Sequence, residues 1–295
     1  MCLILLAWQA HPDYPLVIAA NRDEFFSRPT EAAHFWPESP DLLAGRDLQA
    51  GGTWLGLTRT GRFAALTNYR EVALPDATPA TPANPATHEA LSRGQLVSDF
   101  LQGSLSAPDY LAQIATQAQK YRAFSLICGR VMNVAQRKQA NEPNEPDELW
   151  YASNRTAAGQ PATNLCITPI APGIHGLSNS LLDVAWPKVI SGTATLAHAL
   201  HALPDEARLF RLLHDHQLAD DDQLPRTGVS LEWERQLSAL FVQAPHYGTR
   251  SSSVLVCQRS GDVRFDELTY EPCSQPITTR SRQRFCFKLT ACAAS

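Results

Sequence analysis

Met1-Cys2-Leu3-Ile4-Leu5-Leu6 opens the chain, and after His11-Pro12-Asp13-Tyr14 a second apolar run, Leu16-Val17-Ile18-Ala19-Ala20, leads into Asn21-Arg22-Asp23-Glu24-Phe25-Phe26. Two apolar runs around a short turn-forming segment read as a β-hairpin. Pairing across the turn returns the end of the second strand to the start of the first, so the polar cluster Asn21 to Glu24 is expected beside Cys2. Cys2 is small enough for ordinary removal of Met1, which would leave a thiol and a free α-amine on one residue. The α-amine of a terminus titrates at about 7.7–8.0 and a thiol at about 8.5, so such a residue is a nucleophile carrying its own base. The alternative is a small apolar residue that opens a buried strand.

Further blocks follow NRDEFFSRP (21–29) along the chain: RDLQAGGTWLG (46–56), AALTNYR (64–70), SRGQL (92–96), GLSNSLLDVAWPKV (176–189), LPRTGV (224–229) and YGTRSSSVL (247–255). In order and spacing they resemble the NRDE-motif family, also called the transport-and-Golgi-organisation family, over nearly the whole chain. The resemblance implies an α+β fold, a four-layer αββα sandwich of the N-terminal-nucleophile hydrolase type, formed as one domain over 1–295. In that fold the catalytic residue begins the first strand. NRDE proteins look like cysteine amidases of the bile-salt-hydrolase and penicillin-acylase type, in which an aspartate ending the second strand orients the nucleophile's amine. That residue here is Asp23. An arginine normally stands three residues earlier, where this chain has Ala20, so Arg22 is the candidate substitute.

Composition bounds the rest. The chain has 295 residues, of which 44% are hydrophobic and 18% charged, with a net charge of −4. That describes a globular protein with no basic excess for nucleic acid. The cysteines Cys2, Cys128, Cys166, Cys257, Cys273, Cys286 and Cys292 are odd in number and contain no C-x-x-C pair, which suggests reduced thiols and a cytoplasmic location. No apolar run approaches the ~20 residues of a membrane span. The opening run lacks a basic segment and a cleavage pattern, so it does not read as a signal peptide.

Strand signals recur at Thr53–Thr58 and Arg62–Asn68, turned by Thr60-Gly61, after an irregular connection from Arg28 to Pro40. A proline-rich loop from Pro75 to Pro85 precedes helical spacing over His88–Leu101 and a helix start at Ala107-Pro108. More strands are expected at 124–128, 131–134, 150–154, 165–167 and 173–179, around a polar hairpin tip at 136–148. Helices are expected at 187–203, 205–218 and 231–241, and closing strands at 252–256, 263–270 and 284–289. Grouped strands beside grouped helices point to segregated layers.

Asp23 is a carboxylate for the Cys2 amine, or an Asx turn. Asn68 and Asn179 each end a Leu-(Thr/Ser)-Asn run, where a side-chain amide serves as an oxyanion donor or as a turn residue. The resemblance favours Asn179 for the oxyanion or substrate contact. Arg250, just before a late strand, could hold Asp23 and lower the thiol, or form a surface salt bridge. Loss of Asp23 or of Arg250 is then expected to raise the thiol. His214-Asp215-His216 and Asp220-Asp221-Asp222 lack the glycine and terminal glutamate of a calcium loop, so no metal and no cofactor is assigned. The expected function is an N-terminal cysteine hydrolase or acyltransferase acting on a linear, non-peptide amide, with a small-molecule acyl-amide substrate. The alternative is a non-catalytic family member in haem or lipid handling or secretory-pathway organisation, for which His88, His175 and His246 are unspecific axial-ligand candidates.

Overall fold

A computed structural model describes residues 2–70, 91–131, 147–272 and 277–290. Cys2–Trp8 (β1) and Leu16–Phe25 (β2) form the expected antiparallel hairpin, in register from Cys2↔Arg22 to Trp8↔Leu16. β1 is buried throughout and β2 is buried from Leu16 to Asn21. Strands without polar alternation need cover on both faces, and successive side chains divide between two cores accordingly. Ile4, Leu6, Trp8, Leu16, Ile18 and Ala20 enter a core between two sheets. Leu3, Leu5, Ala7, Val17 and Ala19 enter a core under helices.

The second sheet follows in sequence: Thr30–Trp36 (β3), Ser39–Asp47 (β4), Leu55–Thr58 (β5), Arg62–Asn68 (β6), Phe124–Arg130 (β7), Glu148–Arg155 (β8) and Pro161–Pro169 (β9), paired in that order. Arg93–Gln102 (α1) and Ala107–Ala115 (α2) cover its outer face, placing Leu96, Val97, Phe100, Leu111 and Ile114 against Leu66, Leu126 and Cys128. Gly173–Leu177 (β10) then pairs with β1. Pro187–Leu200 (α3), Ala207–Leu213 (α4) and Leu231–Gln236 (α5) follow. α3 and α4 cover the first sheet, setting Val189, Leu196, Leu209 and Leu213 on its outer core. Tyr247–Cys257 (β11), Asp262–Tyr270 (β12) and Thr279–Lys288 (β13) complete the order β10-β1-β2-β11-β12-β13. The result is a four-layer αββα sandwich, the layering expected from the sequence.

The connection expected to be irregular is a hairpin, β3 and β4, with Trp36 paired to Ser39 across Pro37-Glu38. Its prolines read as breakers, yet one lies in the tip and Pro40 is next to a register shift, positions where a strand tolerates a missing N–H. The Pro75–Pro85 loop, most of the strand expected at 131–134 and most of the 136–148 tip lie outside the described residues, and Val131 itself follows β7 without being part of a strand. Two motif blocks meet where Gly52 touches the start of α1: a Cβ on Gly52 would lie 2.6 Å from the Gly94 carbonyl oxygen.

Asn21 joins the first sheet to its helices. Its Nδ2 donates to the Leu213 and Leu240 carbonyls at 2.8 and 2.9 Å, and Ser252 Oγ donates to its Oδ1 at 2.6 Å. Replacing it would strand these buried partners without a substitute. Asn21→Ala is therefore expected to destabilise the fold by about 3 kcal/mol, read from the urea midpoint, and an unchanged midpoint would show the bonds to be dispensable.

Candidate active site

Cys2 opens β1 at a cavity of about 680 Å³ whose lining includes Arg22, Asp23, Asn68 and Arg250. The period of β2 puts Arg22 on the inter-sheet face with Cys2, and puts Asn21 and Asp23 on the helix-facing side. Arg22 Nη1 is buried without a hydrogen-bond partner among the described residues, while its Nη2 lies 3.8 Å from Glu24 Oε2. A guanidinium donor is thus left over beside the thiol.

Asp23 is 1% exposed. Its Oδ1 accepts from Thr249 Oγ1 at 2.7 Å, its carbonyl accepts from Tyr247 Oη at 2.9 Å, and its backbone N–H faces the Cys2 thiol. Burial pushes the Asp23 carboxyl above its ordinary range, against the pull of Lys188, Thr249 and Arg22. Burial also pushes the Cys2 thiol up; the Asp23 carboxylate adds to the rise and Arg22 opposes it. For Asp23 this reverses the expected sign, because its charge hinders thiolate formation rather than helping it.

Arg250 also departs from expectation. Thr249 pairs with Asp23 and Ser251 with Arg22, so Arg250 is the extra residue of a β-bulge, and bulges redirect side chains. Its guanidinium donates to the Phe25 and Arg28 carbonyls, both at 2.9 Å, and to Thr30 Oγ1 at 3.4 Å. It fixes the chain leaving β2, and Thr249 holds the carboxylate in its place.

Asn179 and Asn68 are brought together. Asn179 Nδ2 donates to the Asn68 carbonyl at 2.8 Å, and its buried Oδ1 has no hydrogen-bond partner among the described residues. Ser178 Oγ donates to the Cys2 carbonyl at 3.4 Å, which ties this segment to the nucleophile strand.

Sequence reasoning missed a polar group behind Cys2. Arg70 Nη1 donates to Glu234 Oε2 at 2.8 Å and to Thr227 Oγ1 at 3.2 Å, and its guanidinium stands 4.9 Å from the centre of the Trp186 ring. Lys188 is buried next to it. The available signal was placement, since Arg70, Thr227, Trp186 and Lys188 all belong to the blocks that carry the family resemblance.

The histidines offer little for haem. Both ring nitrogens of His175 are engaged, Nδ1 with Asp183 Oδ2 at 2.7 Å and Nε2 with the Ala171 carbonyl at 2.9 Å. His246 is exposed, and His88 lies outside the described residues. His214 bonds Tyr270 Oη at 2.8 Å, and Asp221 pairs with Arg235. Among the described residues no group of three metal-ligating side chains gathers, and no helix is long and apolar enough to cross a membrane.

The model of the Transport and Golgi organisation 2 family matches residues 1–272. The chain belongs to that family. It is 32% identical to the Transport and Golgi organization protein 2 homolog of Bos taurus over 285 residues, 90% of this chain and 92% of the relative. The Drosophila melanogaster protein of the same name is 26% identical over 287 residues, 91% of this chain and 92% of the relative. Among solved structures, the Caenorhabditis elegans ortholog of N-acylethanolamine-hydrolyzing acid amidase superposes with a TM-score of 0.49 at 9% identity, covering 96% of this chain and 100% of that one. Penicillin V acylase from Agrobacterium tumefaciens gives 0.45 at 10% identity, covering 98% and 86%.

The charges around the thiol have opposite effects on its reactivity. Asp23→Asn is expected to move the pH midpoint of Cys2 alkylation down and Arg22→Gln to move it up, followed by mass spectrometry of the N-terminal peptide. Shifts in the same direction would contradict this arrangement.

Proposed function

We propose that this family member is an N-terminal cysteine hydrolase or acyltransferase that cleaves a linear, non-peptide amide of a small acyl-amide molecule. The observation that carries the reading is the convergence of Cys2, Arg22, Asp23 and Asn68 on one cavity, at the first residue of a fully buried strand. Removal of Met1 would give Cys2 a free α-amine. The thiol then passes its proton to that amine as sulfur attacks the substrate carbonyl, and the side-chain amide of Asn68, which lines the cavity and whose carbonyl Asn179 holds, stabilises the oxyanion. Collapse of the tetrahedral adduct breaks the C–N bond, and the ammonium of Cys2 returns the proton to the departing amine. The thioester left on Cys2 is released to water, or to a second amine in acyl transfer.

Burial makes this route more reasonable than attack by a standing thiolate, because the thiol is pushed up and gains from a proton acceptor on its own residue. Arg22 supplies a donor for the acyl side of the substrate, and Asp23 orients the amine. Arg250 acts further out, by fixing the segment after β2. Free thiols at Cys128, Cys166, Cys257 and Cys286 support a reducing, cytoplasmic setting.

Cys2→Ala should abolish hydrolysis of a panel of N-acyl amides, a loss of at least about a thousandfold, and Cys2→Ser should keep a trace. Melting should barely change, because a thiol-to-methyl change removes far less than the large-to-small core substitutions that cost ~2–5 kcal/mol. Equal turnover by Cys2→Ala would refute the nucleophile. If nothing is turned over while haem or a lipid binds stoichiometrically, the carrier function replaces this one.

A further inference from the structure

Lys188 has no part in the chemistry described so far, and its position disfavours a cation in three ways. It is 2% exposed, its Nζ makes no hydrogen bond among the described residues, and it lies in the first turn of α3. An ammonium loses solvation on burial, needs acceptors that are missing here, and is repelled by the positive end of the helix dipole. A side chain held against such penalties marks a site where local stability has yielded to function.

The groups facing Lys188 come from every element around it. Asp23 on β2 and Cys2 on β1 attract its charge, and Arg70, following β6, repels it. Beyond them, Glu234 of α5 neutralises Arg70, while Thr249 and Tyr247 of β11 bond Asp23 and Arg22 faces Cys2. Burial pulls Lys188 down to about 8, against the pull of Asp23. Lys188 is in turn the strongest of the charges that draw Asp23 back toward its ionised form. The two are each other's principal opposite charge, without a direct hydrogen bond from Nζ.

This bears on how Cys2 can carry its own base. A carboxylate alone beside an α-amine favours the ammonium, which has no lone pair to accept the thiol proton. A second cation on the same carboxylate removes that bias. We propose that Lys188 is a positioning residue for the nucleophile: its ammonium shares the Asp23 carboxylate with the α-amine of Cys2 and so keeps that amine unprotonated. The inference rests on the assignment of Cys2 as an amine-bearing nucleophile. Lys188 itself touches neither substrate nor the bond that breaks.

The test follows Cys2 alkylation by iodoacetamide across pH, by mass spectrometry, in the mature wild type, Lys188→Met and Lys188→Arg, with a melting curve for each. Lys188→Met should move the midpoint up by about one pH unit, slowing alkylation roughly tenfold below it, because the thiol loses a nearby cation and the more protonated α-amine, no longer a base for it, offsets that rise only in part. Its melting temperature should hold or rise, since an unpaired buried ammonium gives way to an apolar chain of similar length. Lys188→Arg should keep the wild-type midpoint. A purely structural lysine would instead lower the melting temperature and leave the midpoint in place, which would overturn the proposal. So would equal displacement in both variants. If wild-type Cys2 alkylates no faster than buried Cys128 and Cys257 at any pH, the nucleophile assignment itself fails and takes this inference with it.

Discussion

The pairing of Cys2 with Arg22 in the first hairpin is the constraint on which the rest of the site depends. A strand pair has a side-chain period of two, so a slip of β1 by one residue would turn Cys2 toward the helices and away from Arg22. Two cores prevent that slip, because β1 and β2 are buried on both sides and every alternate residue has a matched apolar environment. Asn21 adds a polar lock, bonding the helix layer through Leu213 and Leu240 and the neighbouring strand through Ser252. The first residue of the pair is thereby held as firmly as a core residue while still lining the cavity.

Burial also sets the electrostatics. Cys2 and Asp23 are pushed toward their neutral forms by loss of solvent, and Lys188 is pushed the same way from the opposite sign. In this setting, each charge survives only through its neighbours. Asp23 has Thr249 and Lys188, Arg70 has Glu234, and Arg22 is left with an unused donor facing the cavity side of the hairpin. Such a set is poorly suited to stability and well suited to proton transfer, where small changes in charge must alter which group holds a proton.

The opening hairpin and the juxtaposition of Cys2 with the Asn-Arg-Asp-Glu cluster were legible in the sequence because apolar runs and their turns are local signals, whereas the periodicity pointed only to segregated layers and the four-layer order came from the family resemblance. The β3–β4 hairpin was not, since its prolines look like breakers until the tip and register shift that accommodate them are known. Arg250 was misplaced for a related reason: a bulge adds one residue to one strand only, and no local pattern reports it. Asn21 reads like part of a polar reactive cluster, yet its amide is consumed by long-range backbone bonds. Lys188 could not be found at all by periodicity, because a lysine after a helix-opening proline is ordinarily a solvated charge. Only the packing of α3 against β1 and β10 turns it inward.

The central claim is that the mature protein presents Cys2 as a thiol with its own free amine. Intact-mass measurement before and after a thiol-directed acyl electrophile, with fragmentation to locate the adduct, tests this most directly. The mature chain is expected to begin at Cys2 and to take up one acyl group there, in preference to the other cysteines. A chain that retains Met1 while hydrolysing amides, or an adduct that forms elsewhere and leaves Cys2 untouched, would contradict it.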